Sequence, residues 1–183
     1  MSLIKKLSAR LQNHPKRIVY PEGADPRILQ AARQFSTRKL GVPILLGERE
    51  KISEIAASID VRLDGMKIID PVSSDDFGEL CRLMKAFPRF KALDEDGIRN
   101  LVSNPNYYST LMVASGRADA MLAGATTVSS GALRPIFQII PLQKGFKTAS
   151  SIMILSTGRP EIGADGDLFL ADCGVIPEPD ERQ

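Results

Sequence analysis

The chain has 183 residues, 43% of them hydrophobic and 25% charged, which are the proportions of a globular domain with a well-buried core. Its 24 basic and 22 acidic side chains leave a net charge of +2 with no long basic run, so nothing in the overall charge calls for nucleic acid or an anionic membrane. Cys81 and Cys173 lie far apart, without C-x-x-C spacing and with His14 as the one histidine, which argues against a metal site or a disulfide framework. Both thiols are expected to be reduced and partly buried.

In the N-terminal stretch MSLIKKLSARLQNH, Leu3, Ile4, Leu7 and Leu11 share one helical face, and Lys5, Lys6 and Arg10 interrupt it too early for a signal-peptide core. No uncharged apolar run approaches the ~20 residues that a bilayer-spanning helix needs. The expectation is a cytoplasmic protein with no membrane partner, whose short apolar stripe packs on its own core.

Further along, β-like runs alternate with helical patterns: Arg17–Tyr20, then Arg27–Phe35, Pro43–Leu46, Glu48–Ala57 and Lys67–Ile69. Such alternation predicts an α/β fold with a largely parallel sheet. Asp25 stands as an N-cap and Pro26 at the first helical position, ahead of Ile28, Leu29, Ala31, Ala32 and Phe35 at helical spacing. From Ser74 to Ser115 the pattern is mostly helical and is punctuated by Pro88 and Pro105. One stripe comprises Phe77, Leu80, Cys81 and Met84, and another Ile98, Leu101 and Val102.

A strand is expected at Ala118–Leu122, a helix from about Val128, and β-like runs at Thr148–Thr157 and Asp167–Val175. The turn-rich segment Gly158–Gly166 predicts that these last two pair antiparallel. Ile176–Gln183 leave the final strand with no helix to cover it, an unusual ending for an α/β domain, and the chain reads as unfinished. The expected division is an α/β domain over residues 1–145 and the start of a second domain at 146–183.

The segment Ala118–Gln138, ADAMLAGATTVSSGALRPIFQ, holds the densest chemistry. It joins a strand to a loop at the carboxyl edge of the sheet, where open α/β folds bind ligands. Gly124 and Gly131 permit close backbone approach, Thr126, Thr127, Ser129 and Ser130 offer hydroxyls, and the following helix directs free N–H groups at an anion. Arg134 lies about one helical turn past Ser130, within reach of the same anion, where its guanidinium can grip two phosphate oxygens. Pro135 predicts a kink or a new helix start at Arg134. Two readings stay open from the residues alone: an anion cradle, or hydroxyls that cap a helix with Arg134 paired to a surface carboxylate. The segment is neither a P-loop nor a G-x-G-x-x-G fingerprint.

Four other residues have weaker claims. Glu22, in Tyr20-Pro-Glu-Gly23, either faces the cleft or caps the next helix, and capping is preferred. Asp172 at a strand end is read as a structural hydrogen-bond acceptor and Cys173 as a small buried hydrophobe, while His14 is placed at the surface.

Three blocks carry a family resemblance: R-I-V-Y-P-E-G at Arg17–Gly23, G-A-x-x-x-S-S-x-x-L-R-P-x-x-Q-I-I at Gly124–Ile140, and L-A-D-C-G-V at Leu170–Val175. In order and spacing the chain resembles the phosphate acetyltransferase and phosphate butyryltransferase family over nearly its whole length. The resemblance implies a three-layer α/β/α fold of the isocitrate/isopropylmalate dehydrogenase type, ending here in an antiparallel β segment. It implies reversible transfer of an acetyl or butyryl group between coenzyme A and inorganic phosphate. Phosphate, acyl phosphate and coenzyme A would be the small-molecule partners, with no metal, no tightly bound cofactor, and homodimers as the usual assembly.

By the same resemblance the loop Ala125–Ser130 lines the phosphate site, with Ala125, Thr126, Thr127, Ser129 and Ser130 joining Gly124 as candidate binding residues, and Arg134 contacts the substrate as the catalytic cation. The chemistry agrees, because acyl transfer creates a tetrahedral oxyanion beside an anionic phosphoryl group, and a general base must take the thiol proton. Two departures stand out. The family's serine, arginine and aspartate of the second half-site fall in a C-terminal stretch beyond these 183 residues. An E-L-R-K-like stretch reads R-L-M-K at Arg82–Lys85, where Met84 cannot replace an arginine, and Arg82, Lys85 and Arg89 read as solvated charges. The expectation is a chain that is nearly inactive alone, with a non-catalytic acyl-CoA- or phosphate-sensing domain as the alternative.

Overall fold

The computed structural model describes residues 3–176. Leu11–Ile140 form one compact unit, and the described parts of Met1–Arg10 and Pro141–Gln183 form another.

Within Leu11–Ile140 the alternation becomes β1 (Lys16–Tyr20), α2 (Pro26–Thr37), β2 (Gly41–Leu46), α3 (Arg49–Ser58) and β3 (Lys67–Ile69), with α1 (Leu3–Asn13) preceding them in the chain. A helical excursion then runs through α4 (Phe77–Ala86), a 3-10 turn at Pro88–Phe90, α5 (Glu95–Ser103) and α6 (Pro105–Ala114) to β4 (Ala120–Met121) and α7 (Ser129–Ile139). All three strand pairings are parallel, in the order β3-β2-β1-β4. Two crossovers carry the chain outward from β1 to β3, and the helical excursion returns it to the other side of β1. The direction of winding therefore reverses between β1 and β4, which opens a crevice beyond their carboxyl ends.

Side-chain alternation along the strands feeds two cores. Val19, Ile44, Leu46 and Ile69 meet Leu80, Met84, Ile98, Val102 and Leu111 from α4 to α6, together with Ile139 of α7. On the other side Tyr20 and Leu45 meet Ile28, Leu29, Ala32, Ile52 and Ala56 from α2 and α3. Helices thus cover both faces of a parallel sheet, the three-layer arrangement expected.

The helix starts follow local chemistry. Asp25 has extended backbone and accepts from the Arg27 N–H at 2.8 Å, with Pro26 as the first helical residue. Pro88 and Pro105 each open a helical segment, where the missing N–H costs nothing. In α6 the buried hydroxyls of Ser109 and Thr110 donate at 2.7 Å to the carbonyls of Pro105 and Asn106, so their burial leaves no donor unmet.

Four expectations are corrected. β4 extends over two residues rather than five, because the chain turns at Gly124, whose φ of +110° suits glycine. α7 runs through Pro135 as one helix, so no new helix starts at Arg134. The proline takes one bond out of the helical ladder, yet burial of Ala132, Pro135 and Ile139 on one face carries the helix across it. The apolar stripe of α1 is not packed: the helix has no buried residue, and Ile4 is 64% exposed. The run expected at Thr148–Thr157 is ordered as the shorter β5 (Ile152–Ser156).

In the other unit β5 pairs antiparallel with β6 (Asp167–Ala171) through the predicted turn. Every residue of β5 is exposed, as are Phe169 and Leu170 of β6. Of the uncovered ending expected at Ile176–Gln183, residues 177–183 lie outside the described residues. Among the described residues no helix is long and apolar enough to cross a membrane.

Candidate anion-binding site

β1 ends at Tyr20, and the next three residues set the site. A Cβ on Gly23 would lie 2.6 Å from the Leu46 carbonyl oxygen, to which the Gly23 N–H donates at 3.2 Å. Only glycine lets this turn press against β2. Glu22 is thereby held at the β1–β4 crevice, and its carboxylate meets the loop that follows β4. Oε2 accepts from the N–H groups of Gly124 and Ala125, and Oε1 from the N–H groups of Thr126 and Thr127 and the Thr126 hydroxyl, all at 2.5–2.8 Å. The helix-cap role preferred for Glu22 belongs to Asp25 instead.

Four consecutive N–H groups converging on one anion form a backbone nest. Burial pushes the Glu22 carboxyl up, but the hydrogen bonds from Thr126, Ala125 and Thr127 outweigh it and hold the group at about 2. On the loop's other polar face, Arg27 Nη2 donates to the Ala125 carbonyl at 2.7 Å and pairs with Asp25 at 2.8 Å.

The donors just past the nest are uncommitted. Among the described residues the N–H groups of Val128, Ser129 and Ser130 have no acceptor, nor do the hydroxyls of Thr127, Ser129 and Ser130 hydrogen-bond elsewhere. Val128 caps α7 without a side-chain bond, so no hydroxyl of the loop is spent on capping. Arg134 is exposed and has no carboxylate partner among the described residues. It lies four residues from Ser130, on the same face of α7. The structure thus gathers Gly124, Ala125, Thr126 and Thr127 around Glu22, and carries Ser129, Ser130 and Arg134 on the helix beyond.

A cleft of ≈ 470 Å³ adjoins the nest, lined by Glu22, Asp25, Lys51, Asn106, Thr126 and Thr127 among others. Asn106 is 9% exposed and its Oδ1 has no hydrogen-bond partner among the described residues. Sequence reasoning did not single out Arg27, Lys51 or Asn106. Arg27 follows directly on the Asp25-Pro26 helix start, the one signal that pointed to its neighbourhood.

A second carboxylate fixes the opposite end of the same strand pair. Asp119, just before β4, accepts from the Arg17 N–H at 2.7 Å and from its guanidinium at 3.1 and 3.2 Å. The Arg17 side chain, with its backbone N–H, holds the Asp119 carboxyl at about 2. The two-residue strand β4 is therefore clamped at both ends by charged side chains.

The remaining candidates separate. Met84 is fully buried in the core, so its position in α4 faces away from any ligand. Arg82 and Lys85 line a ≈ 250 Å³ cleft with Cys81, Glu95 and Arg99, and Arg89 is exposed. Burial raises the Cys81 thiol above its ordinary value. Cys173 is exposed, not the buried hydrophobe expected, because it follows β6 on a hairpin with little around it. Asp172 is the structural acceptor expected. It receives the Ser151 hydroxyl and the N–H groups of Gly174, Val175 and Ile176, which hold it well below the carboxylate range. His14 is at the surface, as read.

Comparison with known proteins gives this geometry a context. The phosphate acetyltransferase of Acetivibrio thermocellus is 31% identical over 183 residues, which is 100% of this chain and 54% of that protein. A Staphylococcus aureus phosphate acetyltransferase is 31% identical over 180 residues, 98% of this chain and 53% of its own. The solved structure of EutD phosphotransacetylase from Staphylococcus aureus superposes with a TM-score of 0.82 at 28% identity, covering 98% of this chain and 54% of that one. The chain spans about half the length of the curated relatives it matches. The family model described as phosphate acetyl/butaryl transferase matches residues 2–183, and the chain belongs to that family.

Proposed function

We propose that this chain supplies the phosphate-handling part of an acyltransferase that moves an acetyl or butyryl group between coenzyme A and inorganic phosphate. One observation carries the reading: at the winding reversal of the sheet, the first turn of α7 offers N–H and hydroxyl donors with no acceptor among the described residues, one turn before the cation Arg134. Such an arrangement suits an oxyanion of phosphate size, with the guanidinium gripping two oxygens while amides and hydroxyls take the others. The same donors, fixed before the substrate arrives, would stabilise the charge that grows on the reacting acyl centre. Coenzyme A enters as a substrate, no tightly held cofactor is required, and the reaction is a cytoplasmic one.

The general base and the remaining oxyanion donors belong, on this reading, to the portion of the relatives that the chain does not span. Residues 146–183 are then the beginning of a second domain. The test is calorimetric titration with inorganic phosphate and with acetyl phosphate. Wild-type chain should bind both, and Arg134→Ala should weaken both about 10- to 100-fold, the range for losing a charge-assisted bidentate contact. Unaltered affinity in Arg134→Ala would remove the carrying observation. A thiol-release assay with acetyl phosphate and coenzyme A checks turnover: rapid turnover by these 183 residues alone would contradict the division of the site.

A further inference from the structure

Glycine-containing loops with consecutive inward N–H groups usually await an anion from solution. Here the anion is internal. The Glu22 carboxylate takes all four N–H groups of Gly124–Thr127 and the Thr126 hydroxyl, while Arg27 takes the Ala125 carbonyl from the other side. The next backbone N–H groups along the chain, at Val128, Ser129 and Ser130, are the first of the loop without an acceptor among the described residues. We infer that Glu22 is a positioning residue: its carboxylate fills the nest permanently, so that substrate phosphate is bound not by Gly124–Thr127 but by the donors that follow, whose placement Glu22 sets.

This rests on the phosphate reading above and divides its loop into two parts with different duties. A phosphate entering the nest would have to expel a carboxylate held by five donors or share the donors with it, and like charges at such range repel. A phosphate at the start of α7 meets neither obstacle. Because the four N–H groups of the loop and the Ala125 carbonyl are bonded inside the protein, its conformation is held before any ligand arrives, and binding there orders little further backbone. Both Glu22 oxygens accept, so glutamine cannot substitute: its amide N–H₂ would face two backbone N–H donors. Aspartate, one methylene shorter, would fall short of the loop.

Amide chemical shifts of the ¹⁵N-labelled chain test this by direct observation. Titration of wild type with inorganic phosphate should move the amides of Ser129 and Ser130 and leave those of Gly124–Thr127 in place. In Glu22→Ala, phosphate affinity should fall about tenfold. Added formate, small enough to refill the nest, should shift the Gly124–Thr127 amides of the variant and restore its phosphate affinity. Formate should do neither in wild type. Phosphate-driven movement of the Gly124–Thr127 amides in wild type would overturn the inference, and this measurement needs no variant to fold. Unchanged phosphate affinity in Glu22→Ala, or failure of formate to restore it, would also overturn the positioning role. If phosphate moves no amide in either region of wild type, the phosphate reading itself fails and takes this inference with it. If Arg134→Ala weakens phosphate binding while Glu22→Ala does not, the reading stands and the inference alone falls.

Discussion

Replacing Glu22 by glutamine removes one charge from a partly buried carboxylate while keeping side-chain length, and the structure sets the size of the effect. The carboxyl is held at about 2, against an ordinary 4.5, chiefly by backbone hydrogen bonds that overcome the cost of its burial. At about 1.4 kcal/mol for each tenfold change in proton affinity, this corresponds to a ceiling of roughly 3 kcal/mol of folding stability at neutral pH. Glu22 is open to solvent on one side, so screening reduces the expected loss to about 1–2 kcal/mol. For a chain of this size that is a fall in Tm of about 2–8 °C. The sign follows from the depressed folded value: the contribution is complete above the unfolded carboxylate pKa of 4.5 and disappears as pH falls through about 2. At pH 3 about two-fifths of the neutral-pH difference should remain. Urea unfolding of wild type and Glu22→Gln at pH 7, 5, 4 and 3 measures it. A difference as large at pH 3 as at pH 7 would show that shape, not charge, holds the loop, and no difference at pH 7 would refute the clamp.

Three further substitutions probe the surroundings. Gly23→Ala brings a Cβ within 2.6 Å of the Leu46 carbonyl oxygen, which should cost about 1–3 kcal/mol in urea unfolding and disturb the amide signals of Gly124–Thr127 by displacing Glu22. Leu111→Ala, at a fully buried core position, should lower stability by about 2–5 kcal/mol while the amide response of Ser129 and Ser130 to phosphate persists under folding conditions. Asn106→Leu exchanges a buried acceptor without a partner for an apolar group of similar size, so Tm should hold steady or rise; a drop above about 5 °C would mean that Oδ1 is hydrogen-bonded in solution.

What the sequence makes legible is local. Asp25-Pro26 marks the start of α2 because capping depends on adjacent residues, and Lys67–Ile69 reads correctly as β3 because apolar runs bounded by turns carry their own signal. The Gly124–Arg134 segment stands out in the sequence as a candidate anion cradle for the same reason: its glycines, hydroxyls and arginine are contiguous. The anion that fills half of it is not, since Glu22 lies 102 residues before Gly124 and no periodicity connects them. The stripe of α1 fails in another way. Amphipathic spacing shows that a face suits burial but does not supply the surface that would bury it, and Ile4 remains exposed. In α7 the proline does not end the helix, and Pro135 is itself buried.

The double clamp on β4 also bears on when the site comes into being during synthesis. Arg17 and Glu22 leave the ribosome early, yet their partners Asp119 and Gly124–Thr127 follow 102–105 residues later, about 5–20 s at an elongation rate of about 5–20 residues per second. Strands β1 to β3 and the helices between them lie in the early part of the chain and can pair in the meantime. Throughout that interval the Arg17 guanidinium and the Glu22 carboxylate are hydrated and without these partners. The Gly124–Thr127 loop is thus fixed only after the early strands can pair, and a nascent chain interrupted before Thr127 would have those strands without the complete candidate site.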